Sequence, residues 1–304
     1  MLKKNGGVLD LRSGPVRGRP NRRGQSGEVK SWLAYKLGGV QNMAELENMN
    51  FADHMVEIGG VQTHVYIAGE GSPLLWLHGA GGVPEITPFF QELARSFKVY
   101  IPEHPGFGRS ERPEWLKDYT DYNYFYRDFL DYYSLDKVNL VGHSLGGRIA
   151  MEFAVSHPER VEKLALISST GLKIKGEQRP DIFMMYPEER VRVLFHNQEL
   201  ADRMLNQDVS EEQRMIDVKN TNTHARLEWE KGFNPKFPRL LRYIKAPTRI
   251  IWGDNDRLNP IRYGQALVEH IAGARLDVIE NCGHLPQVEQ PDSCLSVLTG
   301  FLRD

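Results

Sequence analysis

Gly142-His143-Ser144-Leu145-Gly146-Gly147 follows the run Val138-Asn139-Leu140-Val141 and precedes Arg148-Ile149-Ala150-Met151-Glu152-Phe153-Ala154-Val155. The first run reads as a buried strand. The spacing of apolar residues in the second predicts a helix. A G-x-S-x-G match placed between strand and helix reads as a nucleophile elbow, with the serine hydroxyl exposed on a strained turn at the sheet's top. A Cβ at Gly142 or Gly146 would clash where the two backbones meet, and Gly147 lets the helix pack closely. The N–H of Leu145, at the helix start, can face a developing negative charge.

Outward from this stretch the chain alternates strands and helices. Met55 to Ile58, the Gly59-Gly60 turn and Val61 to Ile67 predict a hairpin. Pro73 to Leu77 is a continuous apolar strand of the kind buried on both faces of a parallel sheet, and it runs into His78-Gly79-Ala80-Gly81-Gly82. Val99 to Ile101 is a further strand, followed by Glu103-His104-Pro105-Gly106-Phe107-Gly108-Arg109-Ser110. An aromatic helix from about Tyr122 to Tyr133 leads back to the elbow strand. Leu164 to Ile167 is the next strand. From Leu172 to Lys245 the rhythm stops, and a stretch rich in charge, Met and aromatics predicts helices over 188–195 and 211–230. Thr248 to Trp252 and Leu276 to Ile279 resume the strands, and a helix over 292–302 closes the chain.

The fold class is therefore α/β: a mostly parallel central sheet with helices on both faces and a helical insertion. The expected organisation is a disordered extension over 1–48, a core over 49–170 and 246–304, and a helical cap over 171–245. The extension scatters Lys and Arg among Gly, Pro and Ser, with too little apolar surface to offset the entropy of ordering. A net charge of −2 on 304 residues argues against nucleic acid or an anionic membrane as the main partner. No apolar run is long enough to span a bilayer, and no secretory signal is visible. The two cysteines, Cys282 and Cys294, fit a reducing compartment, and a cytoplasmic location is expected.

The unusual polar residues fall just after strands, where open α/β sheets bind ligands. Ser144 comes first, an acid follows the strand ending at Trp252, and His284 follows the last strand. Serine, acid, histidine is the chain order that accompanies a strand-turn-helix elbow. The histidine takes the serine proton, and a buried carboxylate fixes its tautomer.

These motifs resemble the α/β-hydrolase superfamily. The likeness rests on H-G-x-G-G at His78 to Gly82, P-G-x-G-x-S at Pro105 to Ser110, G-H-S-x-G-G at Gly142 to Gly147, W-G-x-x-D at Trp252 to Asp256 and G-H-x-x-x-x-E-x-P at Gly283 to Pro291. It covers residue 50 to the end. The resemblance implies Asp256 rather than Asp254 as the acid, and the N–H groups of Ala80 and Leu145 as the oxyanion hole. His78 reads as a structural hydrogen-bonder in its turn, His143, the variable residue of the elbow, as packing, and His104 and Glu103 as local turn residues. The resemblance also implies a cap walling an apolar pocket, with Tyr186, Phe195, Trp229 and Leu285 as pocket candidates.

Ser144 sets aside the dehalogenase and epoxide hydrolase relatives, which use Asp at this position. The leading expectation is a serine hydrolase that cleaves small to medium apolar carboxylic esters through an acyl-enzyme, with no metal or cofactor. Carbon–carbon hydrolysis of aromatic ring-cleavage products is the alternative. Relatives with that activity usually carry Trp directly after the histidine, where this chain has Leu285. Arg190, Arg192 and Arg203 are candidate carboxylate clamps for it, or a solvated helix face. A non-catalytic ligand-binding receptor on the same fold is the alternative of another class.

Overall fold

The computed structural model describes residues 51–83, 86–231 and 234–304. The extension over 1–48 lies outside the described residues, as does Phe233 of the insertion. Eight strands form one sheet in the order β1-β2-β4-β3-β5-β6-β7-β8. They are β1 (Ala52–Ile58), β2 (Val61–Ala68), β3 (Pro73–Leu77), β4 (Lys98–Pro102), β5 (Val138–His143), β6 (Val161–Ile167), β7 (Thr248–Gly253) and β8 (Arg275–Ile279). β1 and β2 pair antiparallel through the Gly59-Gly60 turn, β2 pairs antiparallel with β4, and the remaining pairs are parallel.

Strand side chains alternate between two cores, as the pleat requires. Leu75, Leu77, Leu140, Leu166 and Trp252 face α2 (Asp121–Tyr132), α3 (Leu145–Ser156) and α8 (Arg262–His270). Leu74, Trp76, Val141, Ile167 and Ile251 face α1 (Pro88–Ala94) and α10 (Pro291–Arg303). Because both faces are covered, the central strands read as unbroken apolar runs. Each large side chain buried this way contributes roughly 1.5–3 kcal/mol. The chain leaves β3 toward β4 but leaves β5 toward β6. The order reverses there, and the crevice lies outside the carboxyl ends of β3 and β5.

Between β6 and β7 the chain forms α4 (Pro187–Leu194), α5 (Gln198–Leu205), α6 (Glu211–Lys231) and α7 (Phe237–Leu240). The short α9 (Pro286–Glu289) follows the last strand. α5, α7 and α9 carry too few turns to leave a readable periodicity in the sequence. Among the described residues no helix is long and apolar enough to cross a membrane.

Candidate active site

Ser144 occupies a strained backbone position, with φ of 53° and ψ of −115°. The neighbours enforce it. Ser144 N–H donates to Ile167 O at 2.9 Å, and Ser144 O accepts from Gly147 N–H at 3.0 Å and Thr170 N–H at 3.1 Å. The glycines make this closeness possible. A Cβ on Gly142 would lie 2.5 Å from Gly146 O, and one on Gly146 would lie 2.1 Å from Leu77 O. Strain of this sort persists only where the surroundings over-determine it.

The three residues separated in sequence meet at hydrogen-bond distance. Ser144 Oγ donates to His284 Nε2 at 2.9 Å, and His284 Nδ1 donates to Asp256 Oδ2 at 2.8 Å. All three are buried. The second oxygen of Asp256 accepts from Leu258 N–H at 2.9 Å and Asn259 N–H at 2.8 Å, so the carboxylate is held on both sides. Asp254 is exposed and instead ties its own turn to Cys282 N–H at 3.1 Å. A serine, a histidine held in one tautomer and a fully hydrogen-bonded carboxylate can activate a hydroxyl for attack on a carbonyl.

A layer of neutral histidines lies behind the triad. His143 Nε2 donates to the backbone carbonyl of His284 at 3.0 Å, a hydrogen-bonding role beyond packing. Burial pushes its imidazole down to about 3, with the nearby His284 acting in the same direction. His78 Nδ1 donates to Gly79 O at 2.7 Å, and its Nε2 accepts from His104 N–H at 3.0 Å. Burial holds His78 down at about 4 and His104 well below the usual histidine range. His104 Nε2 donates to His78 O at 2.9 Å, and its Nδ1 accepts from the Tyr126 hydroxyl. The rings therefore act as fixed donors and acceptors for the loop that carries Ala80. Leu145, as the first residue of α3, presents an N–H that precedes the helix's own hydrogen-bond ladder. Ala80 sits inside a turn closed by Gly82 N–H to Gly79 O at 3.1 Å.

The pocket candidates divide. Phe195 is buried, and its carbonyl carbon would lie 3.0 Å from a Cβ on Gly283. Leu285 is partly buried at the start of α9. Tyr186 and Trp229 do not wall a pocket: they are 76% and 91% exposed. Tyr186 is the cap residue of α4, and Trp229 lies on the outer face of α6, so both rings are carried toward solvent. Arg192 is engaged by Glu188 at 3.0 Å and Asp202 at 2.8 Å, and Arg203 is exposed.

The insertion holds the site at two places. At the α4–α5 corner, Leu194 O accepts from His284 N–H at 2.7 Å. The Glu289 carboxylate accepts from Gly283 N–H at 2.5 Å, His196 N–H at 3.2 Å and Asn197 N–H at 3.0 Å. On α6, Lys219 Nζ donates to Gly108 O at 2.9 Å and Ser110 O at 2.6 Å, and Thr223 Oγ1 donates to Gly106 O at 2.7 Å. Asn220 reaches Gly81 O at 3.0 Å and accepts from Gly108 N–H at 2.8 Å. In the sequence Glu289 stands within a motif with no role of its own to read, and Lys219, Asn220 and Thr223 stand in no motif. Their only signal is a 219, 220, 223 spacing that puts them on one helical face.

A family described as alpha/beta hydrolase fold matches residues 72–228. A 2-hydroxymuconate semialdehyde hydrolase from Pseudomonas sp. (strain CF600) is 28% identical over 84% of this chain and 98% of that protein. A 2-hydroxy-6-oxononadienedioate/2-hydroxy-6-oxononatrienedioate hydrolase from Paraburkholderia phymatum is 30% identical over 80% of this chain and 92% of its own length. The solved structure of a 2-hydroxy-6-oxo-6-phenylhexa-2,4-dienoate hydrolase from Rhodococcus sp. strain RHA1 superposes with a TM-score of 0.69, at 24% identity, over 84% of this chain and all of that one (100%).

Proposed function

The chain belongs to the α/β-hydrolase family, and on that premise we propose that this hydrolase cleaves the carbon–carbon bond of a 2-hydroxy-6-oxo-2,4-dienoate, the type of acid left by opening an aromatic ring. One observation carries the reading: relatives named for such substrates align over nearly their whole length, 98% in one case, so the likeness takes in the insertion as well as the core. The motifs by themselves place ester hydrolysis first, and the relatives reverse that order.

The chemistry suits the residues present. The dienol must first ketonise, its 2-hydroxyl proton leaving and a proton arriving at C5. The C6 ketone then accepts attack by Ser144 Oγ as His284 takes the hydroxyl proton and Asp256 stabilises the imidazolium. The C5–C6 electrons can be drawn through the alkene to the C2 carbonyl, so the fragment leaves as a stabilised dienolate that takes the proton held by His284; an acyl-serine and a neutral His284 remain. Water, with His284 as base, releases the acid and restores the serine. The N–H groups of Ala80 and Leu145 are the proposed stabilisers of the oxyanion.

Ester hydrolysis is the second reading, and Leu285 favours it. That position follows the histidine and lacks the aromatic ring that ring-cleavage relatives usually place there. The same triad serves both reactions, so a direct competition decides. Loss of the dienoate chromophore is compared with 400 nm release from p-nitrophenyl butyrate on one preparation, with Ser144→Ala as the blank. The expected result is a kcat/KM for the dienoate at least about tenfold above that for the ester. A higher value for the ester removes the carbon–carbon reading and installs the second.

A further inference from the structure

Asn220 bridges two loops of the catalytic edge from a helix outside the core. It is 2% exposed. Its Nδ2 donates to Gly81 O at 3.0 Å while its Oδ1 accepts from Gly108 N–H at 2.8 Å. These partners fix the amide's orientation, because one offers only an acceptor and the other only a donor. Gly82 has a φ of +94°, and a Cβ there would lie 2.8 Å from Asn220 Nδ2, so no side chain can separate the amide from the loop.

The Gly79–Gly82 turn is thereby held at two points. The bond from Gly82 N–H to Gly79 O closes it, and Asn220 fixes the carbonyl that follows Ala80. We propose that Asn220 is a positioning residue for oxyanion stabilisation: it sets the tilt of this turn so that Ala80 N–H aims at the charge formed when Ser144 attacks a carbonyl. The proposal rests on the reading of Ser144 as nucleophile and of Ala80 N–H as a donor. Pre-aimed donors stabilise developing charge because they need not reorganise during the reaction. Losing a direct donor costs about 10²–10³ in turnover. A misplacement of about 1 Å costs on the order of 10².

A merely structural role would consist of seating α6, and two neighbours allow the distinction. Lys219 and Thr223 bind Gly106, Gly108 and Ser110, all in the loop after β4, and make no bond to Gly81. Removing the Thr223 hydroxyl therefore loosens the same helix while leaving the Ala80 turn held.

The test needs no knowledge of the natural substrate. The second-order rate of inactivation by a fluorophosphonate reports attack by Ser144 with the phosphoryl oxygen lying where the oxyanion forms. Ser144→Ala serves as the blank. Asn220→Ala is expected to slow inactivation by about 10–100-fold. Asn220→Asp keeps the shape and the acceptor for Gly108 but sets a carboxylate against Gly81 O, so it should fall as far even if the alanine variant folds poorly. Thr223→Val should stay within about twofold of wild type at a comparable loss of Tm. With a p-nitrophenyl ester the Asn220 variants should lose kcat while KM holds. Equal slowing by the Thr223 and Asn220 variants, or a wild-type rate in Asn220→Asp, overturns the proposal and leaves the nucleophile in place. A wild-type protein that is not labelled overturns the nucleophile reading and this proposal with it.

Discussion

The elbow and helix α6 serve one site by opposite physics. The elbow is built from backbone against backbone. Gly142 lets β5 meet the start of α3, Gly146 lets α3 meet the end of β3, and Gly147 makes room for Ser169; every residue from Leu145 to Ala154 is buried. α6 is 21 residues long, yet Asn220, Thr223 and Leu227 are its buried residues among those described. They share one face, and two of them are polar. Its apolar Met215, Val218 and Trp229 face solvent instead. The elbow is thus fixed by the exclusion of atoms, and α6 by hydrogen bonds to loop carbonyls. A close-packed contact tolerates no added volume. A hydrogen bond tolerates loss at modest net cost unless its partner stays buried and unmet.

If the chemistry belongs to the core and α6 only aims it, the largest loss should follow from the core. Asp256→Asn should lower kcat by about 10⁴, while Asp254→Asn stays within a few-fold, read by steady-state turnover on whichever substrate proves active. The reverse ranking would dissolve the assignment of the triad to the β7 turn.

Stability offers a second way to break the contrast. Gly146→Ala forces a methyl toward Leu77 O and His78 O, at 2.1 and 2.5 Å, and should cost about 2–3 kcal/mol in urea unfolding. Thr223→Val leaves Gly106 O short of a donor and should cost about 1–2 kcal/mol. Equal costs would mean that both regions are held by packing after all.

The seam between the regions is sensitive to pH. The Arg148 guanidinium, on α3, stacks on Tyr119 at 3.7 Å and lies 4.0 Å from Glu228 of α6 and 3.9 Å from Glu152. Burial pushes the Glu152 carboxyl up to about 7, against the opposing pull of Arg148. A raised carboxyl binds its proton more tightly when folded than when unfolded. Its contribution is therefore full below about 4.5 and is lost as pH rises through about 7. Glu152→Gln should match wild type near pH 4.5 and exceed it by about 1–3 kcal/mol at pH 8.5, by urea midpoints at both values. Indistinguishable curves would show that Glu152 remains ionised beside Arg148.

What was legible in the sequence follows the same division. The elbow, the strand ends and the order Ser144, Asp256, His284 could be read because glycine and apolar runs are forced wherever backbones touch. The insertion resisted because its face toward the core is written in Lys219, Asn220 and Thr223. In a hydropathy pattern these look like any solvated helix surface, and the carbonyls they serve leave no mark in a sequence. Aromatic content was equally misleading. Trp229 and Tyr186 suggested pocket walls, yet a ring's usefulness depends on which way its helix turns it.

Glu289 has a mechanical consequence. The Glu289 carboxylate holds the amide of Gly283, 6 positions away, and those of His196 and Asn197, 93 and 92 positions away, and Leu194 O holds the amide of His284 itself. The α4–α5 corner and the catalytic imidazole are therefore welded into one lever. The corner thus reaches the catalytic histidine by two short routes, Leu194 O to the His284 amide and Glu289 to the adjoining Gly283 amide, whereas α6 reaches the Ala80 turn through the Asn220 side chain. The histidine side of the site is tied to the insertion by backbone amides, and the Ala80 turn by one side-chain amide.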